Sequence, residues 1–353
     1  MIDRFTPTVE HIVLPEYFMP EGEITIRYTG HFSVSESRDI TRKRRSFNRI
    51  LKRLKNIWID DKIVIDFRKN TPANWAHTLN FHIPFAFFVL DQIRQHELKE
   101  KPVFVLSERT PTYIKNVFAM FELPTMFSDA DIEARLVEFN QNPFDCLRTP
   151  AISWIQQFIL PSSPWKKLEQ TAYDLPRRVF LSRRDSRNIR NEAEIEQLLG
   201  QYGYQKIYPE DLTVAQQLQI FIHAEAIAAI HGAAIGPMLY RPASKTGLKF
   251  LEIFSPGHMT NYYRGMADQI GAEWIGVRGR LEPGQVAQAY NFNQAFLKHS
   301  LTSFEACPES IRQAIDQLGL YPEAAENYLY SLIKVRRLQI TKEILTFVWR
   351  VMI

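Results

Sequence analysis

Two arginines four residues apart, Arg183 and Arg187, stand in the run Ser182-Arg183-Arg184-Asp185-Ser186-Arg187. The run follows a short apolar segment of β type, Arg178–Leu181, and precedes a helical pattern that opens with Asn191-x-x-Glu194, a capping-box spacing. Guanidinium groups chelate phosphate oxygens in bidentate fashion, so clustered arginines behind a strand suit a diphosphate. Arg183 and Arg187 would converge on one ligand if the turn between them is helical. The alternative is a solvated charged loop.

A second group, His231-Gly232-Ala233-Ala234, follows the apolar run Ile227–Ile230 and leads into another apolar segment. Small residues let backbone approach a ligand, and a helix N-terminus there would offer free N–H groups to phosphate. His231 would donate to a phosphate or sugar oxygen, or act as acid or base; otherwise it is a structural histidine in a tight turn. Glu252 interrupts the apolar run Leu248–Phe254. A carboxylate there needs an ion partner or a ligand hydroxyl such as a ribose. In the first half, Asn74-Trp75-Ala76-His77 opens a helical pattern. His77 is a candidate general base, with His82 and Asp91 behind it; alone it reads as a capped or half-buried histidine. Asp129-Ala130-Asp131 has the spacing of a metal-binding pair, yet acidic residues opening a segment explain it as well.

The elements that must hold these groups alternate between strand and helix, the mark of an α/β fold with parallel sheets. A first set runs as strand (63–67), helix (75–95), strand (102–107) and helix (111–121). A stretch rich in Pro, Asn and Ser near 140–164 reads as a linker. A second set runs as strand (178–181), helix (191–201), strand (204–208), helix (213–223), strand (227–230), the His-Gly-Ala turn, a helix, strand (248–254), helix (260–270) and strand (273–277). From 283 to 353 the pattern is helical. In open α/β sheets ligands bind beyond the carboxyl ends of the strands, where the arginine loop and the His-Gly-Ala turn fall.

The whole chain, 353 residues with 45% apolar content, can build two such domains. Its formal charge of +4 does not argue for a nucleic-acid partner. The basic run 42–55 reads as a solvated helix face. Cys146 and Cys307 have no metal-ligand or disulfide spacing, which fits a reducing compartment. No run is long enough for a membrane span and the N-terminus has no signal-peptide pattern, so a soluble cytoplasmic protein is expected. The tail 335–353 is amphipathic and basic. It could touch the inner membrane surface, or close across two domains.

These residues together resemble glycosyltransferase family 61, over roughly residues 60–280 and most strongly over 178–254. Ser182-Arg183, Arg187 and Asn191-Glu192 are similar to its arginine-rich block. Gln217, Phe221 and Ala224 are similar to its helix before the strand, His231-Gly232-Ala233 to its turn, and Glu252-Ile253 to the strand beyond. His77 and Pro84 fit a looser first-half block. The chain departs from the pattern at Ala234, Pro237 and Phe81, where the family often has Gly, Asn and an acid.

The resemblance implies the GT-B architecture: two Rossmann-like domains facing across a cleft. That divides the chain into an acceptor-side domain (1–150), a nucleotide-sugar domain (151–280) and a helical C-terminal extension (281–353). It also implies inverting transfer of a sugar from a nucleotide donor, typically UDP-linked, to a hydroxyl of a glycan acceptor, as in capsular polysaccharide synthesis. Arg183, Arg187, His231, Gly232, Ala233 and Glu252 would line the donor side, and His77 would face the acceptor. No metal or cofactor is expected, the arginines and helix N-termini neutralising the leaving diphosphate. Two other readings use the same scaffold: a sugar-nucleotide epimerase, and a non-catalytic binding relative.

Overall fold

A computed structural model describes residues 33–34, 39–41, 57–68, 74–95, 101–130, 132–138, 154–171, 173–280 and 301–322. The basic run 42–55, Cys146 and the tail 335–353 lie outside these residues. The first sheet contains β1 (Ser33–Val34), β2 (Asp39–Thr41), β3 (Ile57–Asp66), β4 (Lys101–Leu106), β5 (Thr125–Phe127) and β6 (Ile132–Glu138). Its order is β1-β6-β3-β4-β5, with β2 also on β6. The pairs β6–β3, β3–β4 and β4–β5 are parallel, while β1 and β2 run antiparallel to β6. Strands β5 and β6 fall where the pattern named none. β5 is only three residues long, below what an alternation can reveal.

The second sheet holds β7 (Arg178–Leu181), β8 (Gln205–Ile207), β9 (Ala226–Ile230), β10 (Lys249–Phe254) and β11 (Glu273–Arg278). All its pairs are parallel and the order is β11-β10-β9-β7-β8. The direction of strand addition therefore reverses between β7 and β9. A crevice opens at such a switch point because the two connecting helices leave on opposite faces. Both faces of the sheet are covered, which is why β9 reads Ala-Ile-Ala-Ala-Ile with every residue buried. Ala226, Ala228 and Ile230 face helices Glu192–Gln201 and Pro308–Gln317. Ile227 and Ala229 face helices Val214–His223 and Tyr262–Gln269.

The apolar layer on that second face continues into the first half. Phe85 and Phe104 belong to the same buried cluster as Trp165, Leu218 and Tyr240. The long helical segment of the first half begins as Trp75–His77, passes through a π turn (Thr78–His82) and continues as Ile83–Gln95. It packs on the 3-10 helix Ala233–Tyr240. Tyr240 Oη donates to the Leu79 carbonyl (2.6 Å). Among the described residues no helix is long and apolar enough to cross a membrane.

Local capping differs from expectation at one point. Asn191 does not cap its helix; its amide donates to the Ala306 carbonyl and its Oδ1 accepts from Ala306 N, both at 2.9 Å. A returning segment thus competes successfully for the side chain. The capping box instead forms at Thr213 and Gln216.

Close approach at Gly236 gives a test of the contact between the halves. A Cβ there would stand 2.9 Å from Ala76 Cα. Gly236→Val should cost about 1–3 kcal/mol by overpacking. Gly200 lies in a helix with nothing within 4 Å of its virtual Cβ. Gly200→Ala should therefore stabilise by about 0.5–1 kcal/mol. Urea unfolding measures both, and equal effects at the two sites would contradict this packing.

Candidate active site

The loops after β7, β9 and β10 meet at the switch point, and His231 joins them. Its N–H donates to the Ile253 carbonyl (2.8 Å), which keeps the residue beside β10 past the end of β9. Its own carbonyl accepts from Nη1 of Arg183 and from Nη1 of Arg187, each at 3.3 Å. Its ring Nδ1 lies 2.5 Å from Glu252 Oε1. No described residue hydrogen-bonds its Nε2.

Gly232 lets the first arginine in, for a Cβ there would overlap the Arg183 guanidinium. Arg187 has a positive φ of 62°, a left-handed conformation that costs energy in a residue other than glycine. The returning segment holds it there: Arg187 N donates to the Leu301 carbonyl (3.1 Å), and Ile189 bridges Phe304. Both arginines are half-buried. The only carboxylate in ion-pair reach of Arg183 among the described residues is Asp185, exposed and 3.6 Å away. Arg187 has none, and its Nε is buried without a partner among those residues. Burial, and then the charge of Arg183, push the Arg187 pKa down. Two cations held together with so little compensation are suited to meeting an anion. Arg184 is elsewhere: it forks onto Asp211 (2.7 and 2.5 Å) and stacks over Tyr208 (3.9 Å). Ser182 is buried and donates to Glu192.

Glu252 is wholly buried. Its register neighbours are Ala229 on β9 and Gly276 on β11, both too small to cover it. Trp274 lies over Gly276, where a Cβ would come within 2.7 Å of the indole, and its Nε1 donates to Glu252 Oε2 (2.8 Å). Both carboxylate oxygens are thus engaged inside the protein, and the ion pair with an arginine that the sequence allows is not formed. Three further residues line the His231 ring: Phe254 stacks at 5.1 Å, His258 stands at 4.9 Å and Tyr263 at 5.3 Å. Sequence reasoning missed Trp274, His258 and Tyr263. Only the tryptophan left a trace, a glycine two positions on in the same strand.

His77 stands at the end of the short helix Trp75–His77, capped by Asn74 Oδ1, which accepts from His77 N (3.2 Å). Its neighbour Ala76 touches Gly236, so the helix that carries it meets the segment behind the His-Gly-Ala turn. The ring is half-buried, and burial lowers its pKa. The other base candidates are less suited. His82 is fully buried against Phe67 (4.8 Å) and Phe81 (5.4 Å). Asp91 is buried and accepts from Gln95 Nε2 (2.6 Å) and from Arg94. Asp129 accepts from Ser107 Oγ (2.8 Å), and Asp131 lies outside the described residues. No described group of three or more His, Cys, Asp or Glu could hold a metal ion.

The buried pair makes a graded prediction. Glu252→Ala leaves His231 and Trp274 without their acceptor and should cost about 3–5 kcal/mol of stability. Glu252→Gln keeps an acceptor and should cost clearly less. Denaturant unfolding of both variants checks the order, and a loss under about 1 kcal/mol for the alanine variant would contradict it.

The family model for Glycosyltransferase 61 matches residues 75–248. No curated protein sequence matches the chain. Among solved structures, it is similar to the glycosyl transferase family 9 from Veillonella parvula DSM 2008, at 8% identity, with 73% of this chain and 97% of that chain covered and a TM-score of 0.35. It is also similar to E. coli heptosyltransferase WaaC with ADP, at 11% identity, covering 67% of this chain and 99% of that one, with a TM-score of 0.31. The family match contains His77, the arginine loop and the His-Gly-Ala turn, and ends four residues before Glu252. Over that stretch, just under half of its length, the chain is similar to glycosyltransferase family 61.

Proposed function

We propose that this protein is an inverting glycosyltransferase, moving a sugar from a UDP-linked donor to a hydroxyl of a glycan in cell-surface or capsular polysaccharide synthesis. The observation that carries the reading is the pair of half-buried guanidiniums on the His231 carbonyl, at the switch point of a parallel sheet. The donor side is the second half, within residues 151–280, and the acceptor side the first, within 1–150. The work is cytoplasmic, at or near the inner membrane, with the C-terminal segment as the point of contact.

The donor diphosphate lies on Arg183 and Arg187, with Gly232 and Ala233 giving their backbone to it. His231 turns Nε2 to the same group, and Glu252 acts through His231 by fixing its ring. In the reaction the acceptor oxygen bonds to the anomeric carbon as that carbon's bond to the diphosphate oxygen breaks. The electron pair leaves with the diphosphate, where the arginines stabilise it, so that no metal is needed. The hydroxyl proton passes to His77.

Calorimetry with UDP, GDP and CDP tests the donor site. One diphosphate should bind without added metal, and Arg183→Ala should weaken it about 10–100-fold. Equal affinity in the variant would contradict the assignment. The base has its own test, made with the donor that calorimetry selects. His77→Ala should lower kcat by about 10²–10⁴-fold while leaving UDP affinity unchanged. Because burial lowers the His77 pKa from 6.5, the imidazole stays neutral, and active as a base, below that pH. The acid limb of the rate profile should accordingly lie below pH 6.5. A limb above it, or an unaffected kcat, would exclude His77.

A further inference from the structure

Among the described residues, His258 is the one histidine at the switch point that the donor reading does not use. It ends the turn Ser255-Pro256-Gly257-His258, which leaves β10 directly. The turn is closed twice: His258 N donates to the Ser255 carbonyl (3.0 Å), and Gly257 N to Ser255 Oγ (3.4 Å). Ser255 itself is fully buried. The imidazole is therefore held on a rigid turn, 4.9 Å from the His231 ring, past the carboxyl end of β10, the strand next to β9. We infer that His258 is a further phosphate-binding residue of this site, taking a proton from solvent as a diphosphate binds and donating it as a hydrogen bond to a phosphate oxygen. The inference rests on the donor-site reading above.

The charges around the ring say why protonation should await the ligand. Arg187 faces it from the loop after β7 and His231 from the turn after β9. Tyr263 packs on the same His231 ring from the helix behind, and Glu252 of β10 is already engaged by His231 and Trp274. With the site empty, a third cation beside two guanidiniums is disfavoured. Burial first, then His231 and Arg187, lower the His258 pKa to about 4. A diphosphate brings at least two negative charges to the same place and reverses the sign of that field. The neutral imidazole then becomes a cationic donor, and positive charge is added to the site only when there is an anion to meet it. Binding and proton uptake are linked, so each must strengthen the other.

The test uses the full chain with 13Cε1-labelled histidine, nine in all, and UDP as the probe. His258 is assigned as the signal that His258→Gln or His258→Asn removes. At pH 7 it should sit at the neutral position in the free protein and move to the imidazolium position on saturation with UDP. Calorimetry should show UDP about tenfold weaker in the variants, with proton uptake lower by up to one per UDP. If UDP binds, yet the signal stays neutral and the variants bind equally well, the inference is overturned and the donor site stands. If UDP does not bind the wild-type protein, GDP and CDP are tried in its place, and if none of the three binds, the donor-site reading falls and this one with it. Should one variant fail to fold, the other gives the assignment, and the wild-type shift still decides.

Discussion

A carboxylate with no access to water organises the candidate site. A carboxyl group buried there without partners would cost about several kcal/mol, a large share of a domain's stability, so the surrounding chain has to supply donors. It does so from two sides, through His231 Nδ1 and Trp274 Nε1. The constraint spreads outward from there. Gly276 must lack a side chain so that the indole can reach across, and β9 must present only Ala229 at the register position beside the carboxylate. With its ring pinned by Glu252 and its N–H by Ile253, His231 has a fixed carbonyl, and on that carbonyl both arginines converge.

The topology explains why this happens where it does. Reversal of strand order between β7 and β9 sends the two connections to opposite faces and leaves their first residues side by side. The arginine loop comes from one, the His-Gly-Ala turn from the other. Strain at Arg187 is borne by the segment 301–306, which pairs with the loop through Leu301, Phe304 and Ala306. That segment leads into helix Pro308–Gln317, whose Ile311 and Ile315 complete the core behind β7 and β9. The placement of the arginine pair thus depends on chain that lies more than a hundred residues beyond it.

Much of this was legible in the sequence, for identifiable reasons. Parallel strands buried on both faces leave unbroken apolar runs, so β7, β9 and β10 and their helices could be read nearly to the residue. Arg183, Arg187 and His231 stood out because charged or titratable groups just past such runs have few structural reasons to be there. Partnership was not legible. Glu252 looked equally like a ribose ligand or an arginine's counter-ion, because nothing local shows that Trp274 leans over Gly276 towards it. His258 sits in a Ser-Pro-Gly-His turn that any surface loop could contain, and only strand order brings it to His231. The short β5 and the competition of Ala306 for Asn191 are likewise consequences of tertiary pairing.

The most direct measurement is a crystal structure of the chain with UDP bound. The account predicts both phosphates at the switch point of the second sheet, with oxygens about 3 Å from the guanidiniums of Arg183 and Arg187 and from Nε2 of His231. Glu252 should keep its two partners and remain apart from the nucleotide. A nucleotide seated elsewhere, or one that draws Glu252 onto its ribose and breaks the contact with His231, would contradict the account at its centre.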